Sequence, residues 1–497
     1  ERCGALAVGH SAEQVFDALS ELVAEQILVT ENNHFRFAQA ALREAVLANM
    51  DDTRRRARHL QLGREMLAEQ PQHGRRVAAA LHLVSGGEEM LGADIIAEAG
   101  RAYLRDTNAY DSTSQVVRAL LKALEIYEKQ GRPQHEILGV LHPLVTLGFF
   151  ADWRVVHAYG RRGVSLGLAV TGLGRAYKLS RFVGVKLALI LSLGMAALGF
   201  RRRQRDGFRY DIKDAVRGTC AMVPGTVGLG TVCFDLDMLE HVRDLLAPLQ
   251  ILGRPDQVAR LLYRFVELQS LLIEGRIHAA EQGYAELAPK FITPAMLAEL
   301  GPGQSRGMYG GVIYGHAVVQ CLHFGQRALE LTAEMDSLGI HTWSAAAAHV
   351  RMLYHAARGE SEEMARCREA VESFALQGES TWQTDMFLPA ILLDTFLLCG
   401  DMVATRRTAE QLTRRAEQVP SLTRHAQLAQ AGYLALRGDL TGALAHFERL
   451  LPSFPPYRGL HWFAMRGHYA AALNRAGQHA RAKQLLSASL AQLAPEE

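Results

Sequence analysis

Four glycines constrain this chain more than any other feature. Gly359, Gly400, Gly438 and Gly477 lie 41, 38 and 39 residues apart. Each divides two segments whose apolar residues recur at helical spacing. Glycine reaches the left-handed conformation that ends a helix at little cost, so these positions predict helical hairpins with a period of about forty residues. The clearest unit is "AGYLALRGDLTGALAHFERLLPSFP", residues 431–455. Ala431 and Leu434 are expected to face inward from its first helix, and Gly438 to terminate that helix. Ala443 permits close approach of the second helix, Phe447 and Leu450 fill the groove, and Pro455 closes the unit.

That order of small, large, glycine, small, aromatic, large and proline resembles the tetratricopeptide pattern. Weaker copies place Leu268, Leu271, Gly275, Ala280, Tyr284 and Leu287 at the same offsets, and then Leu393, Phe396, Gly400 and Leu412. In the second of these, Thr405 stands where the small alanine belongs. A last copy supplies Leu473, Gly477, Ala482 and Leu486. The repeats are degenerate and longer than the usual ~34 residues. Two amphipathic helices leave their apolar stripes uncovered until neighbours stack on them. Residues 75–497 are therefore expected to hold roughly ten or eleven pairs. Two glycine-rich stretches, "VPGTVGLGT" (223–231) and "GPGQSRGMYGG" (301–311), read as loops that break the array.

Composition agrees with a helical protein: 49% of residues are hydrophobic, 21% charged and only 7% aromatic, the balance of an ordinary globular chain. The 54 basic and 52 acidic groups leave a formal charge of +2, which argues against nucleic acid as a partner. Two local basic runs, "RRRAR" (54–58) and "RRRQR" (201–205), read as solvated helix faces or loops. Six scattered cysteines without C-x-x-C spacing predict reduced thiols and a cytoplasmic location. The chain opens at Glu1 with no signal peptide, and the missing methionine reads as a piece of a longer protein.

The most apolar stretch is "FVGVKLALILSLGMAALGF", residues 182–200. Its uncharged part would make about 21 Å of helix where a bilayer core needs about 30 Å. Basic residues on both sides give no orientation. A buried repeat helix is the favoured reading, with membrane contact at 182–200 as the alternative.

The opening residues differ from the rest. Val15, Phe16, Leu19, Leu22 and Val23 form one apolar helix face. "ILVT" and "FRF" flank a turn at Glu31 to His34 and predict a β-hairpin. "AQAALREAVLANM" is helical, and Asp51, Asp52 and Thr53 cap a further helix carrying Leu60, Met66 and Leu67. Helix, hairpin, helix, helix is consistent with a winged-helix-like unit. With Phe37, Arg43, Ala45, the "RRRAR" run and His59 at their places, this stretch resembles the C-terminal half of bacterial signal-transduction ATPases with numerous domains. Residues 99–131 resemble the first repeat that comes next in that family. Two positions depart: Gln39 where histidine is common, and Leu47 where tyrosine is. The resemblance implies a P-loop NTPase domain upstream that binds ATP or ADP, often joined to a Ser/Thr kinase or nucleotide-cyclase domain. It makes Gln39 and Arg43 candidates for sensing the nucleotide; Gln39 can hydrogen-bond but not become cationic.

Within the chain no catalytic motif stands out. There is no G-x-x-x-x-G-K-[ST], no kinase signature and no H-E-x-x-H; "HEILGVLH" (135–142) has the wrong spacing for a metal pair. "GVSLG" (163–167) matches a nucleophile elbow formally but sits in a helical, not a strand-preceded, context. His316, His349 and His355 fall on helical patterns where packing or solvent explains them.

These readings predict a mainly α protein, a degenerate tetratricopeptide-like α-solenoid preceded by a small winged-helix-like α+β unit. The expected divisions are 1–72, the winged-helix-like end of an ATPase module; 73–206, a first repeat block; 207–310, an irregular junction and second block; and 311–497, C-terminal repeats. The expected function is a non-catalytic sensor or scaffold that binds a protein or small molecule and regulates the upstream domain. No catalytic, cofactor or metal site is expected in this chain. Alternatives are a DNA-contacting transcriptional regulator acting through the winged helix, and a membrane-associated scaffold acting through 182–200.

Overall fold

The computed structural model describes residues 9–31, 34–71, 73–105, 113–203, 210–232, 256–273, 276–322, 325–376, 388–453 and 460–491. Among these are 24 α-helices and one two-stranded sheet, so the fold is mainly helical as expected. The chain divides into two compact units, Glu1–Tyr103 with Arg118–Arg132, and Leu104–Val117 with Pro133–Glu497.

In the first unit, helix α1 (Ala12–Ala24) begins at a capping box in which Ser11 and Gln14 exchange side-chain and backbone hydrogen bonds. The hairpin is next: β1 (Leu28–Glu31) pairs antiparallel with β2 (His34–Phe37), Leu28 opposite Phe37. Helices α2 (Ala40–Ala48) and α3 (Asp52–Ala68) come after it, the latter capped by Asp51, whose carboxylate accepts from the Arg54 N–H. The expected apolar face of α1 is largely uncovered, with Phe16 69% exposed and none of its residues buried. Arg54 to Arg58 are all exposed on α3, the solvated face their composition predicts. Helices α3 and α4 (His73–Ser85) pack closely because Gly63 lies against Leu83 and Gly86 against Leu60. Most of α5 (Glu89–Arg105) and of α6 (Thr113–Lys129) also belongs to this unit, and there Tyr127 donates to Asp94 at 2.6 Å.

In the second unit, helices mostly pack on their sequence neighbours. The chain runs through α7 (Gln134–Ala151), α8 (Trp153–Thr171), α9 (Leu173–Val183), α10 (Val185–Arg203) and α11 (Ile212–Val232), and then α12 (Gln257–Ile273), α13 (Ile277–Phe291) and α14 (Pro294–Leu300). Next come α15 (Pro302–Leu322), α16 (Arg327–Ser337), α17 (His341–Ala357) and α18 (Ser361–Leu376). The last six are α19 (Leu388–Leu398), α20 (Met402–Ala416), α21 (Thr423–Arg437), α22 (Leu440–Leu450), α23 (Leu460–Arg475) and α24 (His479–Leu490).

The hairpin expected around Gly438 is present. Its φ of +93° ends α21, and Asp439 then caps α22 by accepting from the Gly442 N–H at 2.9 Å. Ala431, Leu434, Ala443, Phe447 and Leu450 are all buried. Gly359, Gly400 and Gly477 also take positive φ just past helix ends. Thr405 fits a buried site by turning its hydroxyl onto the Asp401 carbonyl at 2.7 Å. Pro455, Gly275, Cys3, Cys233 and Arg205 lie outside the described residues.

Three expectations are corrected. The glycine-rich stretches at 223–231 and 301–311 are not loops: the first lies within α11, and the second leads straight into and through the first half of α15. In the second stretch Gly310 and Gly311 are close-packing positions, where Trp343 and Phe265 take the space of a Cβ. The apolar helix α10 is not buried: Ala188, Leu189, Ser192, Ala196 and Phe200 face inward, while Leu187, Ile190, Leu191, Met195 and Leu198 are exposed. Leu486 is 41% exposed, since no described element covers that side of α24.

Candidate functional site

A ring-lined chamber lies in the second unit, among α7, α11, α12, α13, α15 and α17. Its enclosed volume is about 80 Å³, and it opens to solvent on one side. Helix α15 forms one wall, and its glycines shape it. A Cβ on Gly310 would stand 2.3 Å from Trp343 Nε1, and one on Gly315 would stand 2.7 Å from Tyr284 Cζ. Only glycine lets two large rings press onto the helix backbone there.

The rings are arranged edge to face. Phe149 and Phe150 are perpendicular with centroids 5.5 Å apart, and Phe150 meets Trp343 at 5.9 Å and 89°. Tyr314 tilts against Trp343 at 6.3 Å. Such pairs contribute about 0.5–1.5 kcal/mol each beyond the area they bury.

Polar groups in the lining are few. Burial pushes the phenols of Tyr284 and Tyr314 far above their ordinary range, so both stay protonated. Thr146 donates to the His142 carbonyl at 2.9 Å and is already used. Among the described residues, Gln269 Oε1 and Trp343 Nε1 have no hydrogen-bond partner, though both are buried. One accepts and the other donates, and leaving either unmade costs about 1–3 kcal/mol. An apolar, ring-lined chamber suits an apolar ring-bearing small molecule, and its described lining holds no nucleophile–base pair.

The residues singled out from sequence are elsewhere. Gln39, in the bend before α2, and Arg43, on its first turns, are four residues apart and both exposed in the first unit. Ser165 of "GVSLG" is exposed in the middle of α8. The glycines of that motif serve helix packing: Gly163 faces Met222 and Gly167 faces Thr219 of α11. His316 and His349 are buried, and burial lowers both, His349 to about 3. His355 Nδ1 is 2.7 Å from Glu360 Oε2. Cys220 and Cys321 are buried free thiols, each pushed up to about 12 by burial. No group of three potential metal ligands occurs among the described residues.

Sequence reasoning missed Phe149, Phe150, Gln269 and Trp343, because nothing local marks them. A usable signal was the spacing of Gly307, Gly311 and Gly315, every fourth residue on one helical face. Comparison with known proteins gives no matching family model and no matching curated protein.

Proposed function

We propose that this chain is the sensor portion of a multidomain signalling ATPase: a winged-helix-like unit followed by degenerate tetratricopeptide-like repeats that bind a small molecule. The observation that carries the reading is the aromatic chamber walled by Phe149, Phe150, Tyr284, Tyr314 and Trp343. The ligand it favours is a small, flat, largely apolar molecule. Its walls come from hairpins that meet only in the packed unit, so a ligand there would favour one arrangement of the repeats. A ligand acts as a signal only through such a difference in affinity. In this reading the signal passes to a nucleotide-binding domain upstream of Glu1 that holds ATP or ADP, and the module works in the cytoplasm.

Titration with 1-naphthol, monitored by intrinsic fluorescence, tests the chamber. Saturable quenching is expected, and Gly225→Leu, which fills the chamber with only ordinary contacts to Phe149 at the new Cβ, should abolish it. Equal quenching in that variant would reject the chamber as the site. Reading the coding sequence upstream of Glu1 tests the switch: without a P-loop there, the regulatory half of the proposal falls.

A further inference from the structure

Helix α10 is apolar on both sides, yet only one side is covered. The inner face carries the smaller set, Ala188, Leu189, Ser192, Ala196 and Phe200. The outer face shows Leu187, Ile190, Leu191, Met195 and Leu198, spaced three and four apart, and Ile190 is 68% exposed. Phe182, at the end of α9, is 85% exposed. A helix that is hydrophobic all round is normally buried, and a contiguous exposed patch of this kind marks an interaction surface.

Charge around the patch is one-sided. From Trp153 to Phe200 the chain has no aspartate or glutamate, while Arg154, Arg161, Arg162, Arg175, Lys178, Arg181 and Lys186 all reach solvent. This excess is local, since the whole chain carries only +2. Arg175, Lys178 and Arg181 lie on α9, which packs directly against α10, and Lys186 lies in the first turn of α10 itself. Gly184, at φ +80°, makes the turn between the two helices and is itself exposed. No described helix is long and apolar enough to cross a membrane, so the patch suits the surface of a bilayer and not its interior.

We propose that the α9–α10 hairpin is a docking surface for anionic lipid. Leu187, Ile190, Leu191, Met195, Leu198 and Phe182 enter the acyl boundary while the neighbouring lysines and arginines meet the headgroups. Either contribution alone gives weak binding, and apolar insertion together with basic charge gives stable attachment. An acidic protein would satisfy the charge but not an apolar face this free of hydrogen-bonding groups.

Flotation of the full 497-residue chain with equimolar phosphatidylcholine–phosphatidylserine vesicles at low salt tests this, beside vesicles of phosphatidylcholine alone. The chain is expected to float with the anionic vesicles only. Lys178→Gln with Lys186→Gln should weaken partitioning on the order of thirtyfold, and Ile190→Gln with Leu198→Gln at least about tenfold. All four side chains reach solvent, so circular dichroism and the thermal midpoint should match the parent in both variants. Failure to float would overturn the proposal, as would flotation unchanged by the apolar pair, which would mean adsorption by charge alone. Concentration-dependent self-association in light scattering, abolished by the apolar pair without any vesicle binding, would reassign the face to a second copy of the chain.

Discussion

Gly310 and Gly467 are both helical glycines with opposite consequences for the same substitution. At Gly310 a methyl would stand 2.3 Å from Trp343 Nε1, whereas at Gly467 nothing lies within 4 Å. Gly310→Ala is therefore expected to destabilise by about 1–3 kcal/mol through overpacking, and Gly467→Ala to stabilise by roughly 1 kcal/mol through helix propensity. Urea denaturation of the two variants checks the sign. His349 makes a second prediction at this scale. Burial lowers its folded pKa to about 3, against 6.5 for the free side chain. The unfolded chain thus binds the extra proton between these values, so stability falls as pH drops below about 6.5 and goes on falling toward about 3. The slope is about 1.4 kcal/mol per pH unit. His349→Phe should flatten that acid limb, as read from denaturation midpoints at neutral and mildly acidic pH.

Among the elements, the α21–α22 hairpin shows how a short sequence decides local structure. Gly438 ends one helix, Asp439 starts the next, and Phe447 is completely buried, its ring stacked on Tyr469 of α23. Asp439→Ala should cost about 1 kcal/mol by removing the cap, and Phe447→Ala about 3–5 kcal/mol by opening a cavity. The same grammar is legible at Gly359, Gly400 and Gly477, because helix stops and caps depend on residues only a few positions apart. It fails at "GPGQSRGMYGG" for a physical reason. Glycines lower helix propensity and so suggest a break, but here they allow Trp343 and Tyr284 to reach the α15 backbone, and that packing holds the helix.

At the level of the whole molecule, most helices of the second unit contact their sequence neighbours, so damage should remain local. In Phe447→Ala, amide exchange is expected to accelerate in α21, α22 and α23 while α7 and α8 keep their protection. Uniform loss of protection would show a single cooperative core instead. Thiol reagents offer a second check among the described cysteines. Cys399 is exposed and should react first, Cys367 more slowly, and Cys220 and Cys321 only when the chain unfolds.

Helix content, the hairpin at Leu28–Phe37 and the capped turns came from sequence alone, since each rests on interactions within a few residues along the chain. The buried faces around Gly438 did as well, because helical periodicity assigns them before any neighbour is known. Tertiary structure alone decided the two features on which the proposals rest. The aromatic chamber joins Phe150, Gln269 and Trp343, residues far apart in sequence that only packing brings together. The exposure of α10 was equally invisible, because an apolar helix has the same sequence whether one of its faces is covered or both. Local preference fixes what a segment becomes, and long-range packing determines which of its faces remain free to bind.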